Sequence, residues 1–187
     1  LGLGGIGIIT SIIGTLFVRL RGEEDLHKAL NRGEFISMAA MIVAAFGLTH
    51  WLLPASWSAE TLIGGLHNYS SLNVFFATLV GIAVGYVIGK VTVYFTGTDR
   101  EPVIGIVERS TTGEATNIIA GLEVGMASTA IPLVAIAGGI LGAYALAGLF
   151  GIAIAAVALL ANVGFQLSVY AYGPIADNAG RMAEMNE

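Results

Sequence analysis

The sequence predicts an all-α, polytopic membrane helix bundle of about five transmembrane helices within a larger bundle, and three observations predict it. Of 187 residues, 56% are hydrophobic and 11% charged, which does not describe a water-exposed domain of this size. Uncharged runs long enough to cross about 30 Å of hydrocarbon recur along the chain. With the chain divided at the segments between them, all eight basic residues fall on one side of the membrane. That asymmetry is the one the positive-inside rule describes, and it makes the basic side cytoplasmic.

The spans expected from these runs are residues 1–18, 35–53, 73–95, 114–146 and 148–175, forming a single membrane domain across 1–187. The first is apolar and small-residue rich until Arg19 ends it. A mixed-charge segment follows, with Arg21, Glu23, Glu24, Asp25, His27, Lys28, Arg32 and Glu34, and reads as a solvated loop that can hold a short helix. The second span ends at Pro54 between Trp51 and Trp57, residues suited to a membrane–water interface. Residues 54–72 carry Ser, Gly, Asn and Glu60 and read as a loop or re-entrant piece. The third span is interrupted only by Lys90, which can snorkel to the nearby end. Residues 96–113 form a polar loop whose Arg100 and Arg109 are solvated or contact a phosphate group. The fourth run is about 50 Å long as helix, and Pro132 inside it is expected to bend or break it. A tight turn at Ala147-Gly148 leads to the fifth span.

Composition narrows function as well as fold. There is no cysteine, so neither disulfides nor thiolate metal sites are available. The net charge of −5 is small and divided among loops, which argues against a nucleic-acid partner. The 26 glycines allow helices to approach closely. The chain starts at Leu1 inside an apolar run, without an initiator Met or a basic lead, and is expected to be an internal fragment of a longer protein.

The chemistry concentrates where the last span meets charge. Tyr172-Gly173-Pro174-Ile175-Ala176-Asp177-Asn178-Ala179-Gly180 places one carboxylate beside small residues, so a bulky polyanion or hydrated ion can come close to the backbone. Mg²⁺ takes one or two carboxylates plus substrate phosphates and water, so Asp177 is either an interfacial helix-end carboxylate, the commoner case, or a fraction of such a site. Glu123 is the acidic residue within the hydrophobic body of a span, where an ionisable group needs a protein-lined cavity or a partner. It reads either as a carboxylate on an ion path or as a paired interfacial Glu. Asn117, Asn162 and Gln166 bridge helices or line a path.

The run from Ala171 to Asn178, with Ala183-Glu184-Met185, resembles the late-middle signature Asp-Ala-Tyr-Gly-Pro-Ile-x-Asp-Asn-Ala-Gly-Gly-x-Ala-Glu-Met of the membrane-bound, ion-translocating inorganic pyrophosphatases. Thr112-Gly113-Glu114-Ala115-Thr116-Asn117-Ile118-Ile119-Ala120-Gly121-Leu122 and then Val124-Gly125-Met126, Ser128-Thr129 and Pro132 resemble a second block of that family. Ser11 to Arg19, Ala29 to Gly33 and Gly148 to Val157 are also similar, so the resemblance runs from end to end in order. It implies a pyrophosphate-energised primary pump that couples hydrolysis of magnesium pyrophosphate at a cytoplasmic site to movement of H⁺ or Na⁺. It implies Mg²⁺, K⁺ in part of the family, a homodimer, and the plasma membrane of a prokaryote. By motif position Asp177 carries over as a magnesium–pyrophosphate ligand and Asn178 as a motif member next to the substrate.

Two positions depart from the signature. Tyr170 stands where the family has Asp, seven residues before Asp177 and on the same helical face. Arg181 stands where the family has a second Gly, four residues after Asp177 and within reach of an ion pair that would compete with Mg²⁺. Glu123 also replaces a small residue. A catalytically inactive paralogue or remnant, or a secondary transporter with an embedded Glu123 and a Pro-interrupted helix, is the alternative these residues leave.

Overall fold

The computed structural model describes residues 1–19, 26–60, 65–161 and 163–185. The segment from Arg21 to Asp25 of the expected charged loop, and Asn162, lie outside the described residues. The elements are α1 (Gly2–Leu16), α2 (Leu26–Leu52), β1 (Ser56–Glu60), β2 (Leu66–Ser70), α3 (Ser71–Thr96), α4 (Glu101–Ser110), α5 (Glu114–Leu159) and α6 (Val163–Glu184). Among the described residues, three stretches are long and apolar enough to cross a membrane, Ala29–Leu52, Ser71–Ser110 and Glu114–Ser168, and α1 is a shorter apolar helix. The protein is an all-α membrane helix bundle with one small two-stranded sheet at its edge.

The helices alternate in direction, as their contacts show. On α1, a Cβ at Gly2 would meet Leu48 and one at Gly14 would meet Ser37, so α1 and α2 run antiparallel. Phe46 stacks edge-on against Phe75 with centroids 5.2 Å apart, and Lys90 reaches Asn31, so α2 and α3 are antiparallel too. α5 has two arms, residues 114–146 and 148–159, separated by the non-helical pair Ala147 (φ −143°, ψ 26°) and Gly148 (φ 61°, ψ −149°). Gly139 and Gly142 lie under Val84 and Val80 of α3, whereas Gly81 and Gly85 lie against Ala155 and Leu159. The first arm is therefore antiparallel to α3 and the second parallel to it, and α3 is the element against which the reversal is built.

Small residues make these approaches possible. A Cβ on Gly81 would collide with the carbonyl of Ala155, and one on Gly7 would lie 2.8 Å from the carbonyl oxygen of Ala161. α2 buries Ala29, Ser37, Met41, Ala45 and Thr49, a four-residue spacing that puts them on one face. Its hydroxyls do not go unsatisfied: Thr49 Oγ1 donates to the Ala45 carbonyl at 2.9 Å, as Thr78 Oγ1 does to Val74 and Ser11 Oγ to Gly7. Outward, Ile118, Leu122, Met126, Leu133 and Leu141 of the first arm are exposed, an apolar stripe suited to hydrocarbon.

Five expectations from sequence are corrected or narrowed. The charged segment is already helical from Leu26, because Ala29 and Gly33 are buried there and continue the buried face of α2. Ser56–Glu60 and Leu66–Ser70 pair as antiparallel strands, with Ser56 opposite Ser70 and Glu60 opposite Leu66, because Tyr69 is buried against the α5 reversal. The polar loop before α5 contains α4, started by Glu101 and Pro102 in its first turn. Pro132 does not break α5; its fixed φ is compatible with a helix, and the reversal falls at Ala147-Gly148 instead. The fifth run is also divided, since Leu160 ends the second arm before α6 begins.

Gly148 carries a positive φ in a region that L-residues avoid, and a Cβ there would sit 2.9 Å from the Tyr69 hydroxyl. Gly148→Ala in the full-length protein is expected to lose roughly 2 kcal/mol. A lowered thermal midpoint in detergent, against no change for Gly138→Ala, where nothing lies within 4 Å, checks this.

Candidate functional site

The alternating directions place the charged segments together. The end of α1, the start of α2, the end of α3, α4, the start of α5 and the end of α6 all lie at one end of the bundle, and the hairpin and the Ala147-Gly148 reversal at the other. Six of the described basic residues, Arg19, Arg32, Lys90, Arg100, Arg109 and Arg181, stand at the first end. The structure accordingly brings the α4–α5 motif and the α6 motif to the same end.

Asp177 and Tyr170 are backbone positions within α6, seven residues apart and so on one helical face; their side chains lie outside the described part. Asn178 is exposed on the same helix, with its amide nitrogen 3.9 Å from the sulfur of Met182. Arg181 is exposed in the last turn, where a cation suits the carboxyl end of a helix. Among the described residues no group of three or more His, Asp or Glu converges. Mg²⁺ takes few protein ligands and many phosphate oxygens and waters, so one carboxylate of the α6 motif would be at most part of such a site.

Glu123 sits on the first arm of α5, where Arg109 of α4 donates from Nη1 to its Oε2 at 2.7 Å. The pair ties α4 across the turn to α5, helped by Thr116 Oγ1, which donates to the Arg109 carbonyl at 3.3 Å. Both side chains are more than half exposed, 53% for Arg109 and 62% for Glu123. Arg100 lies 3.6 Å from its neighbour Asp99, also exposed. Asn117 Oδ1 is enclosed without a hydrogen-bond partner among the described residues, and it lies within the α5 motif.

Gln166, expected to bridge helices or line a path, joins α6 to α2 in a second polar group whose other members sequence reasoning did not connect. Lys90 Nζ donates to Asn31 Oδ1 at 2.7 Å and to Glu34 Oε2 at 3.4 Å, and Gln166 Nε2 donates to Glu34 Oε1 at 3.4 Å. Lys90 also lies 5.2 Å from the centroid of Tyr86. These residues come from α2, α3 and α6, and the signals for them in the sequence are Gln166, a polar residue in an apolar run, and a lysine in an otherwise uncharged run.

An integral membrane helix bundle that gathers its acidic and basic motifs at one end is the class this arrangement defines. The pattern of the family described as inorganic H⁺ pyrophosphatase matches residues 1–187, and the chain belongs to that family. Proteins named pyrophosphate-energized proton pump 2 from Mycoplana dimorpha and Rhizobium leguminosarum bv. trifolii are 41% and 40% identical to it. The matches cover 96% and 99% of this chain and 85% of each relative. A K(+)-insensitive pyrophosphate-energized proton pump 2 from Moorella thermoacetica is 37% identical over 96% of this chain and 26% of its own length.

The exposure of the Arg109–Glu123 pair sets its energetic weight. In a double-mutant cycle of Arg109→Ala and Glu123→Ala, read as thermal stability of the full-length protein, the coupling is expected to stay below about 1 kcal/mol. A larger value would mean that the assembled protein dehydrates the pair.

Proposed function

We propose that this chain is part of a pyrophosphate-energised primary ion pump, in which it supplies one wall of a magnesium–pyrophosphate site at the cytoplasmic end of the membrane domain. The observation that carries the reading is the family match over residues 1–187, which includes both motifs that the fold delivers to the same end. The gathering of basic residues there supports a cytoplasmic face in a prokaryotic plasma membrane.

In this reading Asp177 holds a metal ion against the phosphate oxygens, and Asn178 lies beside it. Mg²⁺ bound there would supply positive charge to neutralise the phosphate oxygens, with Asp177 as one of the residues that would hold it. The small neighbours Ala179 and Gly180 leave room for the polyanion. The remaining ligands belong to other helices of the full-length protein, which we take to be a homodimer. The pumped ion is H⁺ or Na⁺, and K⁺ is a stimulating cation whose effect is read by omitting it from the assay.

Tyr170 and Arg181 favour a second reading, in which the helical fold is kept and hydrolysis is lost. One experiment separates the two: magnesium-dependent phosphate release from pyrophosphate by the full-length protein in membranes. Robust activity in the parent and at least a hundredfold loss in Asp177→Ala is the expected result. An inactive parent that gains activity as the double variant Tyr170→Asp, Arg181→Gly would establish the inactive paralogue instead.

A further inference from the structure

The Glu34 cluster is the described residues' most enclosed ionic group. Glu34 is 18% exposed and Lys90 39%, and both lie within helices apolar enough to span a membrane. Its depth follows from helix length. Glu34 is eighteen residues from the end of α2 at Leu52, and Lys90 nineteen from the start of α3 at Ser71, about 27 and 29 Å at 1.5 Å per residue. Two helices thus deliver the pair to the same level, nearly one hydrocarbon thickness from the hairpin end. Gln166 arrives at that level on α6, since a Cβ at Gly89 of α3 would lie 3.2 Å from its Nε2.

α6 connects this level to the motif. Gln166 and Asp177 are eleven positions apart, which is about 16 Å along the helix and three turns plus roughly 20°. Their backbone positions share a face. A carboxylate at the membrane boundary is therefore joined by one helix to the position proposed to bind substrate.

We propose that Glu34, held between Lys90 and Gln166, is an exchange station for the transported cation at the motif end of the membrane. The inference rests on the pump reading above and names a residue for its transport half. The charges balance for one cation. With Glu34 ionised, the Glu34–Lys90 pair is neutral. When the carboxylate takes one H⁺ or one Na⁺, the cluster carries +1, and Lys90 keeps Asn31 and the face of Tyr86 as partners. No other charged group from α3 or α6 faces Glu34 among the described contacts; on α2, Arg32 is exposed two positions away. The cleft beside it, lined by Glu34, Met38, Ile82, Gly85, Tyr86 and Gln166, has about 10 Å³ of free space, room for one water. A shift of α6 on substrate binding would move Gln166 away from Glu34 Oε1, freeing that oxygen for the cation.

The experiment uses the full-length protein in inside-out membrane vesicles and counts ions moved per pyrophosphate hydrolysed, with a pH-sensitive dye for H⁺ and ²²Na⁺ for sodium. Glu34→Gln is expected to lower this ratio at least tenfold, and Glu34→Asp to restore it to within about threefold. Because Glu34→Gln leaves Lys90 without its counter-charge, Glu34→Gln combined with Lys90→Met removes both charges together and is expected to show the same loss. An active parent whose ratio is unchanged in these variants would overturn the inference alone, reducing the cluster to a brace for α6. A parent that hydrolyses no pyrophosphate would overturn the pump reading and the inference with it.

Discussion

Close approach of helices through small residues is the constraint on which the rest of this structure depends. In hydrocarbon a backbone polar group finds no water, so the chain satisfies itself as helices. Apolar side chains gain little by leaving lipid for a neighbouring helix, so association rests on tight packing. α3 is where that packing is densest: Gly81 against the backbone of Ala155 on one arm of α5, and Val80 and Val84 over Gly142 and Gly139 on the other. Gripping both arms, α3 fixes the reversal at Ala147-Gly148, and the reversal fixes the direction in which α6 leaves the bundle.

The two ends then acquire different chemistry. At the hairpin end Tyr69 is buried over Gly148, and Trp57 stacks edge-on against Phe150 at 6.5 Å, an aromatic closure with few charges. At the other end stand six of the described basic residues, the α4–α5 motif and the α6 motif. Between that end and the apolar interior lies the Glu34–Lys90 pair. Its energetic contribution is distinct from that of Arg109–Glu123: the latter is a surface tie, whereas the former is an ion pair in a partly desolvated place, where an uncompensated charge is costly.

The bundle was legible in the sequence because its signals are local. Uncharged runs, the turn at Ala147-Gly148 and the one-sided basic residues are read without tertiary information. What was not legible depended on contacts across the chain. The charged segment reads as a solvated loop that can hold a short helix, yet from Leu26 it is one helix with the second span, because buried Ala29 and Gly33 extend the packed face of α2. Pro132 reads as a residue that bends or breaks the helix, and of the two the break falls elsewhere, at Ala147-Gly148. The Glu34–Gln166 hydrogen bond joins residues 132 positions apart, and neither residue belongs to a motif. Glu123 was legible as an ionisable residue needing a partner; that Arg109 is the partner emerges only when α4 folds back on α5. Asp177 was singled out from its motif, and the backbone of α6 puts its position on one helical face with that of Tyr170.

Every functional step in this account requires the motif end and the hairpin end to face opposite sides of the membrane. The chain's lack of cysteine makes the direct measurement simple. Single substitutions Ser58→Cys in β1 and Ser110→Cys at the end of α4, in a cysteine-free full-length protein, are labelled with a membrane-impermeant maleimide in intact cells and in inside-out vesicles. The account predicts labelling of the Ser58 position only in cells and of the Ser110 position only in vesicles. Labelling of both from one side would contradict it.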